Sequence, residues 1–337
     1  MKKILGIFIL GGLFFSACEE NPIIQTDGFA TQPAIFGIID SNDTVHYIRV
    51  GRVFSGLKPP NDTGRIKDSI YFDSVDVSVS LKEIWTGKMI SVPVTPWVVS
   101  AKDAGTFNSE SYTVYRFEKD LLQDFLNPWL PYIIEFQSLL YSKILVAVKV
   151  PGLPLATCET SLVEPPRIWS PKRAQYYVYI YPDNPLLVQW SGDVWNELDI
   201  SFEMNEEFAD KTETRTFSIQ KTSEIHYNGK YCEIRIPYEL IVQILDQNLK
   251  VRSDLIRRYF GPFRIALLTG NQTFYTYMEF KNGINDFNFN PYDNVENGIG
   301  VIAGKSSFNK TTVYLDQPSR LKFAVEPILR KYRIIEY

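Results

Sequence analysis

Cys18 is the residue whose surroundings point most directly to a chemical reaction. It follows Ser16 and Ala17 at the end of an apolar stretch that two lysines precede. The stretch has the length of a signal core and is shorter than the roughly 20 residues of a membrane span. The sequence therefore predicts a lipoprotein signal peptide over residues 1–17 and a mature chain that begins with acylated Cys18. The alternatives are an ordinary secretory signal with an incidental cysteine and a single N-terminal membrane helix.

Acylation of Cys18 would determine where the protein works. Each acyl chain contributes about 0.8 kcal/mol per buried methylene, so several chains hold a protein on a bilayer essentially permanently. We therefore expect the lipid bilayer to be a partner through Cys18. Residues 18–31 are predicted to form a tether, which leaves the rest of the chain outside the membrane.

Two further cysteines, Cys158 and Cys232, remain in the mature chain. An exported protein is in a compartment that permits disulfides, so a bridge between these two residues is a candidate. Two separate buried thiols are the alternative, because free cysteine is among the most buried residue types. The sequence has no Cys-x-x-Cys pair and only two histidines, His46 and His226, which argues against a zinc site.

Three triplets match a short acceptor pattern for bacterial O-glycosylation, in which Asp is followed by Ser or Thr and then by an aliphatic residue. They make Thr44, Ser69 and Ser74 candidate acceptors. Such a triplet is expected by chance about once in a chain of this length, and three occur. Glycosylation predicts a mass above that of the lipidated polypeptide.

No arrangement of residues predicts a catalytic site or a cofactor. The sequence lacks a Gly-x-Ser-x-Gly nucleophile turn, a phosphate-binding glycine loop and a His-Glu-x-x-His motif. His46 and His226 lie in predicted strands, where we expect a structural role. The adjacent Glu206 and Glu207 are predicted to lie in a solvated charged turn. We therefore predict that the protein is not an enzyme, since a hydrolase would need a pocket with carboxylates or histidines of shifted pKa.

Four residues with oxygen-bearing side chains are spaced like calcium ligands, and they are Asp286, Asn288, Asn290 and Asp293. Pro291 stands where a calcium loop needs glycine, and Asn297 stands where it needs a bidentate glutamate. Asn and Asp also form ordinary turns by bonding their own backbone. The prediction is therefore a turn without a metal.

The six tryptophans are spread along the chain, at positions 85, 97, 129, 169, 190 and 195. Cores of β-sandwiches use such rings, so we expect most of the tryptophans to be buried. Several tryptophans exposed on one face would instead indicate a ligand site on which glycan rings could stack.

Composition and charge limit the class of protein. Aromatic residues make up 14% of the 337 residues, and Val, Ile, Tyr and Phe occur in short runs, which favours strands over helices. Removal of residues 1–17 takes away two lysines and moves the formal net charge from −4 to −6, which argues against a nucleic-acid partner. The predicted fold class is all-β with minor helices, arranged as two β-sandwich domains of the immunoglobulin or fibronectin type on a lipid tether.

Alternation of apolar and polar residues places the first strands. It is strict from Val75 to Leu81 and from Ile144 to Val150, which predicts strands that each bury one face. Between them, the apolar residues of 117–140 are spaced as on short helices. We predict an N-terminal β-sandwich domain over 32–155 with a helical insertion near 117–140.

Proline marks the predicted domain boundary. Residues 156–172 contain three prolines and are predicted to form a linker. A C-terminal β domain is expected over 173–337. Apolar residues at helical spacing predict helices near 237–259 and 272–282 in this domain.

Several segments of the mature chain carry a family resemblance, and they are Pro33 to Phe54, Leu186 to Phe202, Phe263 to Asn271, Phe274 to Met278 and Tyr292 to Val301. They resemble a family of Bacteroidetes outer-membrane lipoproteins without assigned function. The resemblance covers most of the mature chain but not 117–140. It implies a two-part β fold on a lipid tether, often encoded near TonB-dependent outer-membrane receptors, and it brings no catalytic residues.

Acidic residues after the lipidated cysteine often mark surface-bound lipoproteins in the same lineage. Glu19 and Glu20 match this pattern and are a candidate export signal. A tether that is polar only because it is solvated is the alternative. The expected location is the outer membrane, with the protein lipid-anchored at the cell surface or on the periplasmic face.

The predicted function is that of a non-enzymatic outer-membrane lipoprotein, a binding or accessory subunit for another envelope component. The resemblance alone implies that the partner is an outer-membrane β-barrel, such as a TonB-dependent receptor or an assembly complex. The alternative is a surface lipoprotein that captures a glycan or a peptide, which a concave aromatic cluster would favour.

Overall fold

The fold is that of a computed structural model, which describes residues 31–53, 64–100, 108, 110–127, 134–172, 176–225, 232–281 and 294–337. These residues are mostly strand, with four short α-helices and one short 3₁₀ turn. The predicted all-β fold class with minor helices is confirmed. The signal peptide and most of the tether lie outside the described residues, so those two predictions stay predictions.

The described residues of the first half form ten strands and one helical turn, and they are β1 (Pro33–Asp40), β2 (Val45–Arg52), α1 (Lys67–Ile70), β3 (Asp76–Glu83), β4 (Met89–Val92), β5 (Val94–Val99), β6 (Tyr112–Glu118), β7 (Leu122–Asn127), β8 (Ile134–Leu139), β9 (Tyr141–Lys149) and β10 (Ala156–Ser161). Alternation sets their inner faces. Val77, Val79 and Leu81 of β3 are buried, and Ile144, Val146 and Val148 of β9 face them in register. The strands predicted from alternation are therefore present.

The second half, where it is described, forms nine strands and three α-helices, and they are β11 (Arg167–Ser170), β12 (Tyr177–Val178), β13 (Leu186–Ser191), β14 (Trp195–Glu207), β15 (Thr212–Ile225), β16 (Cys232–Ile236), α2 (Tyr238–Asn248), β17 (Arg257–Gly270), α3 (Gln272–Lys281), β18 (Val295–Glu296), β19 (Ile299–Leu315) and α4 (Gln317–Val325). Pro237 directly precedes α2, where its fixed φ suits a helix start. Helix α2 ends at Asn248, so the predicted helix near 237–259 is too long. The long strand β17 begins at Arg257. Helix α3 lies where the sequence predicts it.

A nine-stranded sheet joins the two halves, in the order β15-β14-β17-β19-β1-β2-β6-β5, with β12 beside β19. Its central pair is parallel, and β1 runs along β19 from Ala34 opposite Ile299 to Asp40 opposite Lys305. Gly300 permits this pairing, because its φ is +124° and a Cβ there would lie 1.9 Å from the carbonyl oxygen of Ile35. The chain therefore returns at its end to the strand with which the described fold begins.

Two hydrophobic cores lie along this sheet. The first core packs the inner face of β1, β2 and β6 against a five-stranded sheet in the order β18-β10-β9-β3-β4. The second core packs β14, β17 and β19 against α2, α4 and a three-stranded sheet in the order β11-β13-β16. Val295 and Ile302, near the end of the chain, belong to the first core. The predicted division into two separate domains thus misses a strand of the C-terminal half that completes the N-terminal core.

The helical insertion predicted near 117–140 is wrong. Strands β7 and β8 form an antiparallel hairpin there, with Leu122 opposite Leu139. Short apolar runs fit a helical and a strand period equally well, and cross-strand pairing decides between them. Leu121, Leu122 and Leu139 are buried against the first core, which fixes the hairpin.

The proline-rich linker predicted over 156–172 is also corrected. Strand β10 occupies 156–161 and pairs with β9, and β11 occupies 167–170 and pairs with β13. Pro165 and Pro166 stand between these two strands. The prolines bound the strands because proline lacks the N–H that a central ladder needs.

Candidate binding face

The predicted modification sites have different outcomes. Cys18, Glu19 and Glu20 lie outside the described residues, so lipidation and the export signal stay predictions. Thr44 and Ser74 are exposed, and Ser69 is half-buried on α1. These exposures do not test O-glycosylation, which stays a prediction.

The candidate disulfide between Cys158 and Cys232 is not formed. Both thiols are buried, Cys158 on β10 in the first core and Cys232 on β16 in the second core. The alternative of two separate buried thiols therefore describes this structure, because the two residues pack in different cores.

The sequence predicts structural roles for His46 and His226. It predicts a solvated turn for Glu206 and Glu207. His46 is buried on β2, stacked on Phe117 with ring centroids 4.7 Å apart, and its Nε2 lies 3.1 Å from the carbonyl oxygen of Lys119. Burial lowers the pKa of His46 below its ordinary value. His226 lies outside the described residues. The solvated-turn prediction is wrong for both glutamates, which lie on β14: Glu206 is buried and accepts a hydrogen bond of 2.7 Å from Arg258 Nε, and Glu207 is half-buried and accepts one of 2.6 Å from Arg257 Nε.

The tryptophans do not follow the prediction that most of them are buried. Trp190 and Trp195 are buried, whereas Trp85, Trp97 and Trp169 have exposed fractions of 77%, 49% and 48%. Trp129 lies outside the described residues. The three exposed rings lie on different elements, namely the turn after β3, strand β5 and strand β11.

Trp97 belongs to a larger exposed surface, which we call the aromatic–arginine face. It is the side of β1, β2, β6 and β5 that points away from the first core, and its members are Phe36, Tyr47, Arg49, Trp97, Tyr112 and Arg116. Period-two alternation creates it: Tyr47 and Arg49 point outward on β2, whereas His46, Ile48 and Val50 point into the core.

Strand register places these side chains in two rows. In one row Phe36 lies opposite Arg49, Arg49 opposite Val114, and Val114 opposite Trp97. In the next row Tyr47 lies opposite Arg116. Directly opposite residues in a sheet have neighbouring side chains on the same face, so Arg49 neighbours Phe36 and Arg116 neighbours Tyr47, with the aliphatic Val114 between Arg49 and Trp97.

The two arginines lie over aromatic rings. The guanidinium carbon of Arg116 is 5.1 Å from the centre of the Trp97 ring, and Arg116 also forms an ion pair with the exposed Glu118. The Nε of Arg116 is buried and has no hydrogen-bond partner within the described part of the chain. Stacking on tryptophan holds this cation in place.

Arg49 lies between two tyrosine rings. Its guanidinium carbon is 5.3 Å from the centre of the Tyr112 ring and 5.8 Å from that of Tyr71, and its Nη2 donates to the Tyr71 hydroxyl at 3.1 Å. The two tyrosine rings are themselves stacked, with centroids 5.9 Å apart and planes 11° apart. No described carboxylate forms an ion pair with Arg49.

Helix α3 borders the aromatic–arginine face. Phe274 of α3 packs on Trp195, Val301 and Ala303 and so covers the same side of β14 and β19. At the edge of this small cluster, Tyr277 meets Phe36 with ring centroids 5.6 Å apart. The outer side of the sheet is therefore packed under α3 and open over β2, β6 and β5, as far as the described residues reach.

Two clefts lie away from this face. One, of about 290 Å³, is lined by Glu164, Arg167 and Asp193 among others, and burial raises the pKa of Asp193. The Asp193 carboxylate accepts the N–H of Val194, and its own N–H donates to Thr269, which are contacts of a turn. A cleft of about 340 Å³ lies between β3 and β5 and contains Ser74. Neither has the nucleophile and oriented base that a hydrolase needs.

Metal and membrane chemistry have no further candidates in the described ranges. No three Asp, Glu, His or Cys side chains are grouped there so that they could hold a metal ion. The calcium candidates Asp286, Asn288, Asn290 and Asp293 lie outside those ranges. None of the described helices is long and apolar enough to cross a bilayer.

Comparison with protein families and with curated proteins gives no match. No model of a protein family matches the sequence, and no curated protein matches it significantly. The resemblance to Bacteroidetes outer-membrane lipoproteins therefore stays a prediction.

Proposed function

We propose that the protein is a non-enzymatic, lipid-anchored subunit of the outer membrane that binds another envelope component, a β-barrel, through the aromatic–arginine face. The observation that carries the proposal is the outer side of β1, β2, β6 and β5, which brings four aromatic rings and two guanidinium groups together and is open over β2, β6 and β5 as far as the described residues reach. Trp, Tyr and Arg are the residues that most often dominate protein–protein binding energy. The aromatic rings of Trp and Tyr supply large, rigid contact areas, and the guanidinium of Arg supplies directional hydrogen-bond donors.

The shape of this face supports a macromolecular partner. Small-molecule sites are concave, whereas this surface is the open side of a sheet. Adjacent strands are about 4.8 Å apart, so the row from Phe36 to Trp97 extends about 14 Å across three strand spacings.

Photo-crosslinking in intact cells tests the proposal. A photoreactive amino acid replaces Trp97 in one variant and Trp169 in the control, because these two side chains are almost equally exposed but lie on different sheets. We expect position 97 to form one abundant adduct with an outer-membrane β-barrel and position 169 to form none. Equal labelling from both positions, or adducts with no barrel, would refute the proposal.

The lipid anchor is tested separately with Cys18→Ser. We expect this variant to lose acylation and to leave the membrane fraction, while the unmodified chain stays there through its acyl chains. A native N-terminus other than acylated Cys18 would overturn this part of the proposal. Protease treatment of intact cells then distinguishes the cell surface from the periplasmic face.

Capture of a glycan is the second candidate function. The exposed Trp97 ring favours it, because sugar rings stack on aromatic faces. Neutral oligosaccharides should then raise the melting temperature by mass action. A Trp97→Ala variant should lose that shift, and the absence of any shift with the unmodified chain would remove this candidate.

A further inference from the structure

The charges on the aromatic–arginine face carry an inference about the chemistry of the partner. The mature chain is acidic overall, yet this face presents two guanidinium groups. Arg116 meets one carboxylate, that of Glu118, and Arg49 contacts only the tyrosine rings and the Tyr71 hydroxyl within the described structure. The Arg49 guanidinium is therefore a cation without a carboxylate partner among the described residues.

The two arginines have unused hydrogen-bonding capacity. A guanidinium has five N–H donors in a planar fork that matches a carboxylate. Arg49 uses one donor on the Tyr71 hydroxyl and has no ion pair with a described carboxylate, whereas Arg116 meets Glu118 and its Nε is buried out of reach of a ligand. Stacking on Trp97, Tyr112 and Tyr71 limits the motion of both groups, so a carboxylate meets donors that are already ordered.

We infer that the aromatic–arginine face recognises an acidic polypeptide segment of the partner, with its carboxylates on Arg49 and Arg116 and an apolar or aromatic side chain between Phe36 and Trp97. This inference rests on the proposed function and adds the chemistry of the ligand. A polypeptide is favoured over an acidic glycan because the surface is open and not concave, and because its Trp, Tyr and Arg content is that of a protein hot spot.

Binding of defined polymers to the acylated mature protein in detergent tests the inference. The probe is a random copolymer of glutamate and tyrosine, and polyglutamate, polygalacturonate and polylysine are compared with it. We expect the copolymer to bind most tightly and polylysine not to bind. We also expect copolymer binding to weaken steeply as salt is raised, because the contact is between opposite charges.

Arginine variants identify the groups responsible. Arg116→Gln and Arg49→Gln are each expected to weaken copolymer binding at least about tenfold, the scale of one charge-assisted hydrogen bond. Arg116→Lys should recover part of the loss, because it keeps the charge but not the planar fork. Arg235→Gln is the matched control: Arg235 is also exposed on a strand and paired with a carboxylate two residues away, that of Glu233. It should bind normally.

The outcomes separate this inference from the proposed function. Equal copolymer binding by Arg116→Gln, Arg49→Gln and Arg235→Gln, with all three melting normally, would overturn the acidic-segment inference and leave the barrel crosslink from position 97 standing. Tighter binding of polygalacturonate than of the copolymer would overturn the choice of a polypeptide. Arginine-dependent copolymer binding without a barrel crosslink would refute the β-barrel partner and keep acidic recognition.

Discussion

Arg258 in the second core and Arg116 on the aromatic–arginine face both lie on strands of the nine-stranded sheet, but their surroundings are opposite. The Arg258 side chain is 1% exposed and donates to Glu206, to the carbonyl of Tyr332 and to the carbonyl of Lys250, at 2.7, 2.8 and 2.9 Å. The Arg116 side chain is 27% exposed and lies on a tryptophan ring with one donor unpaired. The same residue type satisfies buried acceptors in one place and stacks on an exposed ring in the other.

The difference follows from what covers each strand. Arg258 lies under the C-terminal residues 333–335. The N–H of Arg258 donates to the carbonyl of Arg333, and the N–H of Ile335 donates to the carbonyl of Arg258. Every polar group must be satisfied there, because water cannot reach it. No described element covers Arg116. A stability assay and a binding assay should therefore respond to different arginines.

Replacement of Arg258 should have the largest effect on stability. Arg258→Ala leaves the buried carboxylate of Glu206 and two backbone carbonyls without this donor, so we expect a loss of about 3–5 kcal/mol in the free energy of unfolding. Urea denaturation measures it. Arg264→Gln, whose side chain is about half exposed, is the control and should lose less than about 1 kcal/mol. A similar small loss for both variants would contradict the comparison.

Replacement of Gly300 should rank second and tests the strand pair that joins the two cores. Gly300→Ala forces a Cβ into the Ile35 carbonyl and keeps a strained backbone, so we expect a loss of at least about 2 kcal/mol. Gly152→Ala separates the two contributions, because Gly152 also has a positive φ but has open space around it. Chemical denaturation should show a smaller loss in the free energy of unfolding for Gly152→Ala than for Gly300→Ala. Equal losses would mean that β1 shifts to relieve the clash at little energetic cost.

Acidification should have a smaller effect, through His46. Burial keeps the folded-state pKa of His46 below the unfolded value of 6.5, so the unfolded chain takes up the proton first as the pH falls. The free energy of unfolding should therefore decrease as the pH drops through about 6.5. Denaturation of the unmodified chain and of His46→Asn at pH values on either side measures this. An unchanged pH dependence in the variant would exclude His46 as the cause.

Replacement of Trp97 should have the smallest effect on stability. Trp97→Ala removes a half-exposed ring from an edge strand, so we expect a change within about 0.5 kcal/mol in the free energy of unfolding. The same variant should lose the partner contact. A large destabilisation would show that the ring is a structural support of β5 and would weaken the contrast with Arg258.

Some strands and helices could be predicted from the sequence, because the spacing of apolar residues within a short segment is sufficient to identify them. Alternation identified β3 and β9, and apolar residues at helical spacing identified α2 and α3, because periods of 2 and 3.6 are properties of short segments. The hairpin of β7 and β8 could not be predicted in this way. Its short apolar runs fit both periods, and only contact with the first core selects strands.

The candidate face shows the same limit. Tyr47 and Arg49 could be placed on one side of β2 from alternation, but nothing local indicates that Trp97, about fifty residues later, lies in the same row. The expectation that most tryptophans are buried was wrong because hydrophobicity alone does not say which side of a sheet another element covers. Glu206 was predicted to be solvated because it stands next to a second glutamate in the sequence. Its hydrogen-bond partner in the core, Arg258, is remote in sequence and could not be identified from it.

The sequence by itself determined the strand-rich character of the chain, the inward and outward sides of its clearest strands, and the prediction of a lipid anchor at Cys18, because each depends on a few neighbouring residues. Only the tertiary structure decided that β19 returns to pair with β1, that Glu206 and Arg258 are buried together, and that aromatic rings and arginines from four strands lie on one side of the sheet. Such contacts join residues far apart in the chain, and their positions follow from strand register and from which side of the sheet is left uncovered.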